Sequence, residues 1–201
     1  MGIKPPAGIN MGVCFSGYVT VSNALVDCAS IKDQLPGQKY LSLGGGNAAG
    51  LWSLTALANM DAAISSKALA DWQGVVYDIE EGDAGLAAAF SKSFANSKAN
   101  GLSVLVTTSH SRPYGITDGS QLMTGFFADS NIDYISPQLY TSGYETANDF
   151  TAVGTMWKEY ASSKAKIVPS VVLGPRDYPT AQAYFANVGV TLAGYVQWVQ
   201  K

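Results

Sequence analysis

Two acids stand two residues apart at the end of an apolar run, in Trp72-Gln73-Gly74-Val75-Val76-Tyr77-Asp78-Ile79-Glu80-Glu81-Gly82-Asp83. Side chains alternate along a strand, so Asp78 and Glu80 face the same side, with Val76 below them. Carboxylates held this close do not both ionise freely, and their pKa values move apart. One of them then keeps a proton near neutral pH and can serve as a general acid. Capping of a following helix is the plainer use for acids at such a place. It suits Glu81 and Asp83, which are expected in the first turn of that helix. Asp78 and Glu80 lie inside the apolar pattern, and this makes them a candidate site.

The rest of the chain offers little competing chemistry. Its single histidine, His110, follows an apolar run in Thr107-Thr108-Ser109-His110-Ser111 and reads as a hydrogen-bonded loop residue. With one His and no cysteine cluster, neither a metal nor another cofactor is expected. Cys14 and Cys28 fit neither a metal knuckle nor a redox pair. They read as two buried free thiols, with a disulfide as the alternative. Only 13% of the 201 residues are charged, the net charge is −3, and Lys and Arg form no cluster. That balance excludes a protein that tracks a phosphate backbone. No apolar run reaches the length of about 18 residues that a membrane span needs. The weakly charged surface suits an extracellular protein or a neutral polymer substrate. Residues 1–6 lack the apolar core of a signal peptide. Secretion, the favoured location, therefore needs a leader outside this sequence, and an intracellular location is the alternative.

The elements that must carry the two acids alternate regularly. Strands are expected over residues 9–18, 39–43, 75–79, 102–107, 132–140, 166–173 and 193–199. Helices are expected over 22–33, from about Leu54 towards Asp71, through Leu86, Phe90 and Phe94 to a stop at Asn100-Gly101, over 121–129, from a cap at Asp149, and over 180–187. The Asp149 helix is expected to bury Phe150, Val153, Trp157 and Tyr160. Nothing marks a linker, so residues 1–201 form one domain. Strict alternation implies a parallel sheet with helices outside it, either an open doubly wound sheet or a closed (β/α) barrel. The barrel needs at least about 200 residues, which places this chain at its lower limit.

Three further strand ends place polar or aromatic residues where a barrel mouth would be: Ser42-Leu43-Gly44-Gly45, Gln138-Leu139-Tyr140 and Val196-Gln197-Trp198. Together with Asp78-Ile79-Glu80, and in this order, they resemble glycoside hydrolase family 18, the chitinases and endo-β-N-acetylglucosaminidases. That family carries an S-x-G-G strand, a D-x-x-D-x-D-x-E strand, a Q-x-Y or M-x-Y strand and a last strand ending in Trp. The resemblance implies a TIM-type α/β barrel and hydrolysis of β-1,4-linked N-acetylglucosamine, as in chitin or chito-oligosaccharides. Glu80 would be the general acid and then the base. Asp78 would orient the substrate's acetamido group, whose oxygen attacks C1 in place of an enzyme nucleophile, so the usual rule on carboxylate separation does not apply. Tyr140 would donate to the acetamido oxygen, Trp198 would floor the sugar, and Gln138 would bind the same sugar. Gly44 and Gly45 would leave room for substrate, with Ser42 deeper.

The chain departs from this pattern in two places. Gln73 and Val76 stand where the family has its first two aspartates, so Asp78 keeps only Glu80 as a charged neighbour. Repulsion within that pair is expected to raise its apparent pKa. By family register the residue 39–43 strand is the third, and residues 1–8 are too few for a complete first βα unit. The barrel is therefore expected to be shortened or incomplete there, with exposed edges that a homo-oligomer would cover. Two other functions compete. A glycan-binding lectin or inhibitor could use the same scaffold, and an N-glycan endo-β-N-acetylglucosaminidase could use the same residues. A dinucleotide site is suggested by Gly44-Gly45-Gly46-Asn47-Ala48-Ala49, but no acid follows at the next strand's end about 20 residues on.

Overall fold

A computed structural model describes residues 10–198. Eight parallel strand segments occupy seven positions of one curled sheet: β1 (Met11–Phe15), β2 (Gln38–Gly44), β3 (Gly74–Ile79), β4 (Ser103–Ser109), β5 (Tyr134–Gln138), β6 (Lys166–Ile167), β7 (Ser170–Val171) and β8 (Val196–Gln197). The order is β1-β2-β3-β4-β5-β7-β8, with β6 also paired to β5. β6 and β7 are two halves of one predicted strand. Pro169 sits between them and has no N–H to give to the ladder.

The crossovers carry α1 (Val21–Cys28), α2 (Leu54–Ser65), α3 (Ala87–Ala99), α4 (Gly119–Ala128) and α5 (Gly174–Asn187). Leu86, Phe90 and Phe94 are all buried, as their four-residue spacing predicts. Tyr77 points out from β3 towards the same helix and shares its hydroxyl with Ser93 and Ser97 at 2.9 and 2.8 Å. Helix α5 starts six residues earlier than expected, because Pro175 suits the first turn of a helix.

Alternation along each strand divides the molecule into two layers. Leu41, Leu43, Val75, Tyr77, Val104 and Val106 face the helices in the main core. Tyr40, Val76 and Leu105 face inward and pack with Met11, Val13 and Phe15 of β1 and with Val196 of β8. The first and last strands thus border one interior, and the Phe15 and Trp198 rings meet at 5.5 Å. This is an incomplete TIM-type α/β barrel rather than an open sheet. Among the described residues β1 pairs only with β2, and β8 only with β7. Residues 1–8, too few for a complete first βα unit, lie outside the described residues, as does Val199.

Two expectations need correction. Cys14 and Cys28 are not free thiols; they form a disulfide that ties β1 to α1. No α-helix starts at Asp149. Its carboxylate accepts from the Thr151 N–H at 2.8 Å, Gly154 turns the chain at φ 76°, and only a short 3-10 helix, Trp157–Ser162, follows. Trp157 and Tyr160 are buried as expected, but Val153 is exposed. The glycine run after β2 does not open a helix, in keeping with the helix expected from about Leu54. Asn47 closes a turn there by accepting from the Ala49 N–H at 2.8 Å, and α2 begins only at Leu54.

Candidate active site

The C-terminal strand ends bring the two acids together with most of the residues named beside them. Asp78 is the last inward residue of β3, level with Gly44 on β2 and Thr107 on β4. Glu80 follows on the same face and accepts a hydrogen bond at Oε1 from the Gln138 amide, at 3.2 Å. Tyr140 is two residues beyond Gln138, and its ring lies 6.2 Å from that of Trp198. Ser42 is buried one step lower, level with Val76. Its hydroxyl has no hydrogen-bond partner among the described residues.

The electrostatics of the acids follow from where the strand puts them. Burial raises the Asp78 carboxyl well above the usual carboxylate range, and the adjacent charge of Glu80 raises it further. Glu80 is also raised, again chiefly by burial and secondarily by Glu81. The Gln138 and Asp78 hydrogen bonds and His110 pull it back. The two carboxyls hydrogen-bond each other and titrate as a pair. Burial, and then the charges of Asp78 and Glu80, push the Tyr140 hydroxyl far up, so it stays a donor at neutral pH. Two buried polar atoms here, Asp78 Oδ1 and Trp198 Nε1, have no hydrogen-bond partner among the described residues. One can accept, or donate when protonated, and the other donates. A ligand with an amide group could satisfy both.

The glycines divide their roles. A Cβ on Gly44 would lie 2.3 Å from the Asp78 carbonyl oxygen and 2.4 Å from Trp52 Nε1, at a φ of 97°. The room at Gly44 is therefore filled by the protein itself. Gly45 lies over Asp78, where a Cβ would come within 3.5 Å of Oδ2. Gly46 lies over Glu80, where a Cβ would come within 2.8 Å of Oε2. Side chains at these two positions would cover the acids.

Several residues that position the site were not identified from sequence. Buried Trp52 donates from Nε1 to the Asp78 carbonyl at 2.8 Å, and its backbone pairs with Glu81 and Asp83 at 3.0 and 2.9 Å. The loop after β2 is thereby stitched to the extension of β3. Glu81 and Asp83 do not sit in the first turn of α3, which begins at Ala87 with no acid in that turn. Glu81 instead accepts a hydrogen bond from the Tyr114 hydroxyl. His110 is a hydrogen-bonded loop residue, as expected, held 3.0 Å from Asp149, and it adopts a left-handed backbone at φ 48°. These residues lie in loops, where no periodicity announces a partner. Among the described residues no three His, Cys, Asp or Glu side chains are grouped as a metal would require.

No family profile matches the chain, and no curated protein does. Solved structures do resemble it. The homocysteine methyltransferase MmuM of Escherichia coli has a TM-score of 0.51 at 11% identity, covering 96% of this chain and 77% of that one. A chitinase from Chromobacterium violaceum has a TM-score of 0.48 at 17% identity, covering 82% of this chain and 61% of its own. The spore cortex-lytic enzyme SleL of Bacillus megaterium has a TM-score of 0.49 at 14% identity, covering 78% and 42%. The chain thus spans less than two thirds of the chitinase and less than half of the cortex-lytic enzyme. At 11% identity the likeness to the methyltransferase is one of fold alone.

Proposed function

We propose that this chain is a retaining glycosidase that hydrolyses β-1,4-linked N-acetylglucosamine by a substrate-assisted mechanism. The observation that carries the reading is buried Asp78 paired with half-buried Glu80, with Gln138 bonded to Glu80 and Tyr140 beside Trp198. A general acid must hold a proton at working pH, and burial raises Glu80 in that direction. Glu80 gives this proton to the glycosidic oxygen as the C1–O bond breaks. The acetamido oxygen of the same sugar forms the new bond to C1, producing a positively charged oxazolinium ion. Asp78 holds the acetamido N–H and offsets the charge; Tyr140 donates to the acetamido oxygen. Glu80, now a carboxylate, takes a proton from water as the water oxygen attacks C1, and the ring reopens with retained configuration. The apolar Trp198–Tyr140 wall supports the sugar.

The partner is accordingly a chitin-like polymer or oligomer. The Cys14–Cys28 disulfide, together with the low charge, supports a secreted protein. The test is hydrolysis of a chito-oligosaccharide with a fluorescent leaving group by wild type and by Glu80→Gln. Turnover should fall by about 10²- to 10⁴-fold in the variant. Chitin binding with no turnover in either protein would overturn the enzyme reading in favour of a lectin.

A further inference from the structure

The loop after β4 holds an aromatic ring beside the acid, and the reaction above leaves that ring unused. Tyr114 is 56% exposed, so it adds little to the core. Its loop is nevertheless fixed from several directions. The Tyr114 N–H donates to Ser109 Oγ at 3.1 Å, and the Gly115 N–H donates to the Glu80 carbonyl at 2.9 Å. The Arg112 guanidinium donates to the carbonyls of Pro113 and Ile116, each at 3.1 Å, and to that of Val153 at 2.9 Å. The Tyr114 hydroxyl donates to Glu81. An exposed ring held this firmly, with its hydroxyl engaged, presents an apolar surface to solvent at small further loss of entropy on binding.

Its position relative to the acid gives that surface a use. A Cβ on Gly46 would meet Glu80 Oε2 at 2.8 Å and the Tyr114 hydroxyl at 3.1 Å, so both oxygens border one point of the backbone. The other oxygen, Glu80 Oε1, takes the Gln138 amide. Oε2 is therefore the oxygen on the Tyr114 rim. Asp78, Tyr140 and Trp198 serve the sugar whose C1 reacts. The group that departs receives the proton of Glu80, and on the Oε2 side its neighbour is Tyr114.

We propose that Tyr114, held by Glu81, forms the floor of a subsite for the leaving-side sugar of a β-linked N-acetylglucosamine chain. This rests on the glycosidase reading above. The apolar face of a pyranose packs on an aromatic ring, and loss of that contact lowers rate only for substrates that carry a sugar there.

The experiment compares kcat/KM of wild type, Tyr114→Ala and Tyr114→Phe on two substrates. One is a chito-oligosaccharide long enough to extend past the cleaved bond. The other is chitobiose oxazoline, the reactive intermediate, which needs only the water step and has no leaving sugar. Tyr114→Ala should lose about tenfold on the oligosaccharide and nothing on the oxazoline, while Tyr114→Phe, which keeps the ring but loses its tie to Glu81, should lose less than Tyr114→Ala on the oligosaccharide and nothing on the oxazoline. Equal losses on the two substrates, or no loss on the oligosaccharide, would overturn the subsite and leave the glycosidase reading standing. Wild type inactive on both would overturn the glycosidase reading and the subsite with it.

Discussion

Glu80 occupies a carboxylate environment with opposing influences, and the side chain that restrains it is identifiable. Burial and Glu81 raise its pKa, whereas the Gln138 amide stabilises the charged form and lowers it. A general acid works while protonated, so its pKa sets the alkaline limb of the rate profile. Removing the donor in Gln138→Ala raises the Glu80 pKa further. The alkaline limb of kcat/KM should move to higher pH, with an overall rate loss from weaker sugar binding. A rate loss with the limb unmoved would mean that Gln138 acts on substrate alone. At this scale much was legible in the sequence: alternation alone puts Asp78, Glu80 and Val76 on one face. The fate of Glu81 was not. A helix cap and a loop contact demand the same residue type, and only the distance to Ala87 separates them.

At the scale of elements, the strands were readable because they are apolar and turn residues bound them. All seven expected strands have counterparts, and the one broken in two carries its proline in plain view. The loops were not readable. Asp149 has the residue type of a helix cap and Phe150, Val153, Trp157 and Tyr160 have helical spacing, yet Gly154 takes a positive φ that ends any helix there. The disulfide stood only as the alternative because two cysteines 14 residues apart carry no sign of their separation in space. That bond closes β1, a strand paired on one side only among the described residues, onto α1. In the chain-entropy account a loop of this size is worth about 3 kcal/mol. Reduction, or Cys28→Ala, should lower the midpoint of thermal unfolding by several degrees, read by circular dichroism with and without reductant. An unchanged midpoint on confirmed reduction would show that the outer core alone holds the edge strand.

For the molecule as a whole, the site is paid for in stability, and the pH dependence of folding should reveal it. A carboxyl whose pKa rises on folding binds its proton more tightly in the folded than in the unfolded chain. Its contribution is favourable below the unfolded pKa, about 3.9 for an aspartate, and is lost as pH climbs through the folded pKa. Asp78 is such a group, raised by burial and by Glu80, with Oδ1 unpartnered among the described residues. At neutral pH the fold must keep a proton on the pair or tolerate a buried charge beside a half-buried one. Asp78→Asn removes one of those charges and keeps the shape. It should be more stable than wild type by about 0.5–2 kcal/mol at pH 7 to 8, with the gap shrinking towards zero as pH falls below the unfolded value. Urea unfolding of both proteins across that range reads the difference directly, and turnover should fall in the same variant. A gap that does not vary with pH would mean that Asp78 acts on stability through its shape and not its charge. In that case burial of the ionised carboxyl would not be what Asp78 costs the fold.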